Sequence, residues 1–166
     1  MQETFHMINF YDIDPNYLDY LRSYEPKVPK TGYSSHEKIF CGIILTINDT
    51  IQYYAPVSSF SEQQRTNLLI YDKDGKTVLS SVRFCFMIPI MPSVIHRINI
   101  KDFYSTAPSY AILVDKEYSY CSSHEALLKR RAQSVYNIGC NKNHVYNHTC
   151  CDFKKLERVY QAYNVQ

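Results

Sequence analysis

Tryptophan is absent from these 166 residues, and several catalytic signatures are missing with it. There is no Gly-rich phosphate loop, no GxSxG elbow and no HExxH helix. No carboxylate pair is spaced for two-metal phosphoryl chemistry, which argues against a kinase, an ATPase or a dehydrogenase. Long apolar runs are lacking too: Ile39–Leu45 and Phe84–Met91 fall far short of a membrane span. The N-terminus, MQETFHMINFYDID, has no basic segment followed by an apolar stretch, so no signal peptide is expected. Six cysteines without an export signal are expected as reduced thiols, and the chain reads as cytoplasmic.

What is present suits one domain over residues 1–166. The chain is 45% hydrophobic and 20% charged, ordinary for a globular protein, but it carries sixteen tyrosines. Tyrosine packs like an apolar residue while keeping a hydroxyl, and its ring can stack on a base. The net charge of +2 is unevenly spread: residues 1–96 sum to −2 and residues 97–166 to +4. A basic C-terminal part suits contact with a phosphate backbone.

Residues 8–13 read as a strand ending at Asp14-Pro15, a helix start with Asp14 as N-cap. Tyr17, Leu18, Leu21 and Tyr24 then recur at helical spacing, and 25–37 reads as a loop. Residues 38–47 and 51–58 flank Asn48-Asp49-Thr50 and predict a hairpin. Residues 68–71 and 82–90 read as strands separated by an Asp72–Gly75 turn. Ser122-Ser123-His124-Glu125 resembles a capping box ahead of a helix. Phe153, Leu156, Val159, Tyr160 and Tyr163 mark a terminal amphipathic helix. The expected class is α+β: an antiparallel, partly barrel-like sheet with packed helices.

Two constellations could carry chemistry. Cys140, His144, His148, Cys150 and Cys151 fall within twelve residues and could hold a structural zinc, though not at a standard CxxC spacing. The other is a strand-end cluster. If the hairpin pairs around Asn48–Thr50, Lys38 and Ser58-Ser59 come to the same end. A cation beside two hydroxyls is a modest anion site suited to a phosphodiester.

Lys38-Ile39-Phe40-Cys41-Gly42-Ile43, Tyr54-Ala55-Pro56-Val57-Ser58-Ser59 and Phe86-Met87-Ile88-Pro89-Ile90 resemble motifs of the ToxN/AbiQ endoribonucleases of type III toxin–antitoxin systems. So do Phe10-Tyr11, the Tyr17-Leu18 helix, Lys27-Val28-Pro29, Thr149-Cys150 and Phe153, and the CptN branch looks nearest. The resemblance implies a MazF/Kid-like core that needs no cofactor or metal. The ribose 2′-hydroxyl would attack the adjacent phosphate, leaving 2′,3′-cyclic phosphate and 5′-hydroxyl ends. By position, Lys38 would stabilise phosphate charge or transfer a proton, Ser58 and Ser59 would bond the scissile phosphate, and Tyr33 would contact substrate. Ser61 stands where the family has a lysine, so Arg65 would supply that charge, or His36 a proton-transfer role. Tyr118 and Tyr120 would be base platforms. The resemblance also implies a structured antitoxin RNA, often a pseudoknot, bridging several toxins, with Lys129, Arg130, Arg131, Lys142, Lys154 and Lys155 on its phosphates. Cellular or phage RNA would be the substrate and phage defence the role. A non-catalytic RNA-binding module and a zinc-stabilised interaction protein are the alternatives.

Overall fold

The computed structural model describes residues 8–30 and 38–164. β1 (Asn9–Ile13) ends at Asp14, whose carboxylate accepts from the Asn16 N–H and caps α1 (Pro15–Arg22). Tyr17, Leu18 and Leu21 lie buried on one side of that helix, as their spacing predicts. β2 (Phe40–Ile47) and β3 (Ile51–Ser58) form the expected antiparallel hairpin. Its turn holds Asn48 and Asp49 at positive φ, a region these two residue types tolerate best after glycine.

β4 (Asn67–Tyr71) and β5 (Val78–Arg83) make a second hairpin around Asp72–Gly75. Residues 82–90 are not the single strand the sequence suggests. The Thr66 carbonyl takes the amides of Phe84 and Cys85 at 3.0 and 3.3 Å, which turns the chain through a 3₁₀ turn at Phe84–Phe86. β6 (Ile88–Ile90) then returns to the edge of β3 at Gln52–Tyr54, whereas β5 pairs with Val57 and Ser58. β7 (Ile95–Arg97) pairs with β1. The seven-stranded sheet runs β4-β5-β3-β2-β1-β7, with β6 on β3, and does not close. All its pairings are antiparallel.

Three further helices complete the α+β fold: α2 (Pro108–Ser123), α3 (Glu125–Cys140) and α4 (Phe153–Val159). The capping box expected at Ser122–Glu125 does not form. Ser122 and Ser123 hydroxyls instead donate back to the carbonyls of Tyr118 and Ser119 inside α2, and His124 alone separates the two helices. No helix among the described residues is long and apolar enough to cross a membrane.

Phe10, Leu18, Phe40, Ile44, Ile70, Phe84, Phe153 and Leu156 are buried in one core between sheet and helices. Several tyrosines join them because their hydroxyls find partners there. Tyr17 donates to the Pro89 carbonyl at 2.5 Å, and Tyr53 and Tyr136 both donate to Glu157 Oε2 at 2.6 Å. A buried hydroxyl with a partner avoids the desolvation cost of an orphan donor. Burial pushes the Tyr17 and Tyr53 phenols well above the ordinary value, so both stay protonated.

Candidate active site

The hairpin register sets the site. Phe40 pairs with Pro56, and the Val57 amide donates to the Ile39 carbonyl at 2.9 Å. Continued one step, that register puts Lys38 opposite Ser58, as the sequence suggests. On its other edge Ser58 pairs with Ser81 of β5. Lys38, two residues before β2, therefore lines up with Ser58 of β3 and Ser81 of β5.

Strand alternation tells which face they occupy. Ser80 donates to the Glu117 carboxylate of α2, so its neighbour Ser81 points away from α2, and its partner Ser58 does too. Arg83, two residues beyond Ser81, shares that face. Its guanidinium lies between the rings of Phe60 and Phe86, 4.4 and 4.6 Å from their centroids. Its Nη2 reaches Gln64 Oε1 at 3.5 Å, and its Nε is buried with no hydrogen-bond partner among the described residues. Partial burial, and then the nearby Arg83 charge, hold the Lys38 ammonium below the usual lysine range. Two cations thus flank a row of hydroxyls.

The loop beyond β3 is fixed from both ends. Ser58 Oγ accepts from the Phe60 N–H at 3.2 Å, while Ser81 Oγ donates to the Phe60 carbonyl at 2.7 Å. Ser58 acts there as an acceptor, which leaves its hydroxyl proton available for a phosphate oxygen. Further along, the buried Asn67 carboxamide accepts from the Gln64 N–H and Gln63 Nε2 and donates to the Glu62 carbonyl. Ser59 stands exposed at the start of this loop. Tyr33 and His36 lie outside the described residues.

The remaining sequence candidates separate into distinct places. Arg65 is exposed on the loop and lines a pocket with Arg131, which donates to the Asn67 carbonyl at 3.4 Å. Lys142, Lys154 and Lys155 line another cleft, with Lys27 and His148. Lys129 pairs with Glu125 at 2.7 Å, and Arg130 is exposed on α3. Tyr118 and Tyr120 belong to α2, on the face opposite Lys38. Tyr118 packs edge-on against Phe10, and Tyr120 stacks on His124 at 4.0 Å. The structure does not bring either ring to the Lys38–Ser58 row. Nor does it assemble the zinc set. Cys150 and Cys151 are buried, His144 Nδ1 accepts from the Tyr146 N–H, and among the described residues no three His, Cys, Asp or Glu side chains group as metal ligands.

Arg83 is the functional candidate that sequence reasoning missed. Only the pairing of β5 with β3 places it beside Lys38, and that pairing joins segments separated by a loop and another strand.

The model of the ToxN toxin family, from type III toxin–antitoxin systems, matches residues 9–161. The endoribonuclease ToxN of Bacillus thuringiensis subsp. kurstaki is 26% identical over 163 residues, covering 93% of this chain and 83% of that protein. Among solved structures, a toxin of a bacterial type III system, inhibited by a non-coding RNA pseudoknot, superposes with a TM-score of 0.86. It is 24% identical, over 96% of this chain and 99% of that one. AbiQ, a lactococcal anti-phage endoribonuclease of the type III class, superposes with a TM-score of 0.82 at 22% identity, over 95% and 98% of the two chains. At these identities the likeness to the solved structures is one of fold.

Proposed function

The chain belongs to the ToxN family of type III toxin–antitoxin toxins, and from that premise we propose that it is an endoribonuclease that cuts RNA without a metal. The observation that carries the mechanism is the pair of cations, Lys38 and Arg83, flanking the serine row on one sheet face. The reaction has the ribose 2′-hydroxyl attack its own 3′-phosphate. The P–O5′ bond breaks, leaving a 2′,3′-cyclic phosphate on one fragment and a 5′-hydroxyl on the other. Negative charge grows on the non-bridging oxygens as the phosphorane forms. Lys38 and Arg83 stabilise that charge, and Ser58 and Ser59 donate to the phosphate. Burial and then the Arg83 charge lower the Lys38 pKa, which favours a proton-transfer role for this side chain. Tyr33 and His36 remain proposed as substrate contact and proton-transfer group.

The protein acts in the cytoplasm on cellular or phage RNA and is held inactive by a structured antitoxin RNA that bridges toxin molecules. Folded RNA is recognised through shape, extruded bases and phosphates. The lysine cleft of Lys142, Lys154 and Lys155 and the exposed Arg130 supply phosphate contacts for such a partner.

The test is to free the protein of RNA, incubate it with single-stranded RNA and a chelator, and map the ends. Cyclic-phosphate ends from the wild type, with cleavage at least ~10²-fold slower in Lys38→Ala at unchanged RNA affinity, are expected. Cleavage that appears only with added metal refutes the mechanism.

A further inference from the structure

Next to the catalytic face lies a pocket of about 720 Å³ lined by Gln63, Gln64, Arg65, Arg131 and Tyr146, with two threonines. We infer that this pocket is a nucleotide subsite for the RNA strand flanking the scissile phosphate, with Tyr146 as the base platform and Arg65 and Arg131 on the backbone. The inference rests on the nuclease reading above and assigns where its substrate runs.

Four observations carry it. First, chemistry: the described lining residues comprise two arginines, two carboxamides, two hydroxyls and one phenol ring, and none is acidic. The other clefts with aromatic or basic walls carry carboxylates: Glu25 and Asp152 in one, Asp72 and Asp115 in another. Second, exposure: Tyr146 is 40% exposed, next to Val145 at 71%, although most large apolar side chains of the described chain are covered. A ring left open beside two guanidiniums matches a stacking platform on a cationic track. Third, continuity: Gln64 lines the pocket and reaches Arg83, and Asn67, which anchors the pocket loop, pairs in register with Arg83. Gln64 thus joins the pocket wall to the Arg83 end of the row. Fourth, rigidity: Asn67 fixes the loop through Glu62, Gln63 and Gln64, so little ordering remains to be done on binding. Carboxamides in such a wall can bond base edges, whereas the arginines read phosphate whatever the sequence. The pocket volume falls within the range of small-ligand sites.

The variants are Tyr146→Ala, Tyr146→Phe and Arg65→Gln, with Lys73→Ala, exposed near the β4–β5 turn, as control. Each is assayed for KM and kcat on single-stranded RNA, and for binding to the same RNA carrying a 2′-deoxy sugar at the cut. Losing one stacked base weakens binding by about tenfold or more. Tyr146→Ala should therefore raise KM and the dissociation constant about tenfold with kcat nearly unchanged, and Tyr146→Phe should match the wild type. Arg65→Gln should lower the salt slope of binding by ~0.7, the loss of one phosphate contact to a single strand. Unchanged KM and binding in Tyr146→Ala overturns the subsite. So does an effect confined to inhibition by the structured antitoxin RNA, which would make the pocket part of that interface. A wild type that cuts no RNA overturns the nuclease reading, and binding of the uncleavable RNA then decides the subsite by itself.

Discussion

Glu117 offers the sharpest stability test, because the fold buries a carboxylate with little to compensate it. The residue sits on α2 against β5, is 5% exposed, and its polar contact is the Ser80 hydroxyl. Burial pushes its pKa from 4.5 to about 7, against the smaller opposing effect of the Ser80 bond. The Tyr110 phenol, itself raised to about 12 by burial and then by Glu117, and the Cys121 thiol face the same carboxylate. The sign follows from proton counts. Between pH 4.5 and about 7 the folded protein keeps a proton that the unfolded chain releases. Stability contributed by this group is thus full at low pH and is lost as pH rises through about 7. A shift from 4.5 to about 7 corresponds to roughly 3 kcal/mol, an upper figure because the native state can relax. Glu117→Gln keeps a neutral partner for Ser80 and removes the titration. Urea denaturation from pH 5 to pH 8 should show the variant gaining on the wild type by roughly 2–3 kcal/mol across that interval. A stability difference between the two proteins that does not change with pH would refute the argument.

Two structural substitutions test the packing that holds the site. At Gly139 a Cβ would lie 2.3 Å from the Phe153 ring, which is itself fixed against Tyr136 and Tyr53. Gly139→Ala gains about 1 kcal/mol of helix propensity but forces that aromatic cluster apart, so a net loss of roughly 1–2 kcal/mol in urea unfolding is expected. Asn67→Ala removes the carboxamide that orders residues 62–67. It should lower stability by roughly 1–3 kcal/mol and raise KM for RNA, measured by denaturation and steady-state cleavage.

Local signals carried much of the fold. The β2–β3 hairpin, the Asp14-capped helix and the start of the terminal helix rest on contacts between residues close in sequence and stand where their patterns predict. The terminal α-helix, however, ends at Val159 and gives way to a 3₁₀ turn at Tyr160–Ala162, short of Tyr163. α2 was not legible because its buried stripe, Ala111, Val114, Glu117 and Cys121, holds a glutamate where an apolar residue would complete the period. Its other positions include Tyr110, Ile112, Tyr118 and Tyr120, residues that favour strands, so tertiary contact decides the helix. The break after Arg83 was hidden for a similar reason: the apolar run continues, and the Thr66 carbonyl, supplied from the preceding loop, ends the strand.

The site divides in the same way. Lys38 and Ser58 meet within one hairpin, so counting back from the turn brings them together. Arg83 meets them only through the β3–β5 pairing, and its partnership with Lys38 gives a test that a purely structural arginine would fail. Burial lowers the Lys38 pKa first and Arg83 lowers it further, so Arg83→Gln must raise it. If Lys38 works as the charged group holding the phosphorane, kcat/KM falls at alkaline pH as Lys38 loses its proton, and Arg83→Gln moves that fall to higher pH. If Lys38 works as the neutral base, activity rises with the same deprotonation, and the rise moves instead. Arg83→Lys keeps the charge and should leave either limb in place, while losing the planar stack between Phe60 and Phe86 and with it part of the rate. Should neither limb move in Arg83→Gln, the two cations do not share one phosphate, and the mechanism argued from their proximity fails.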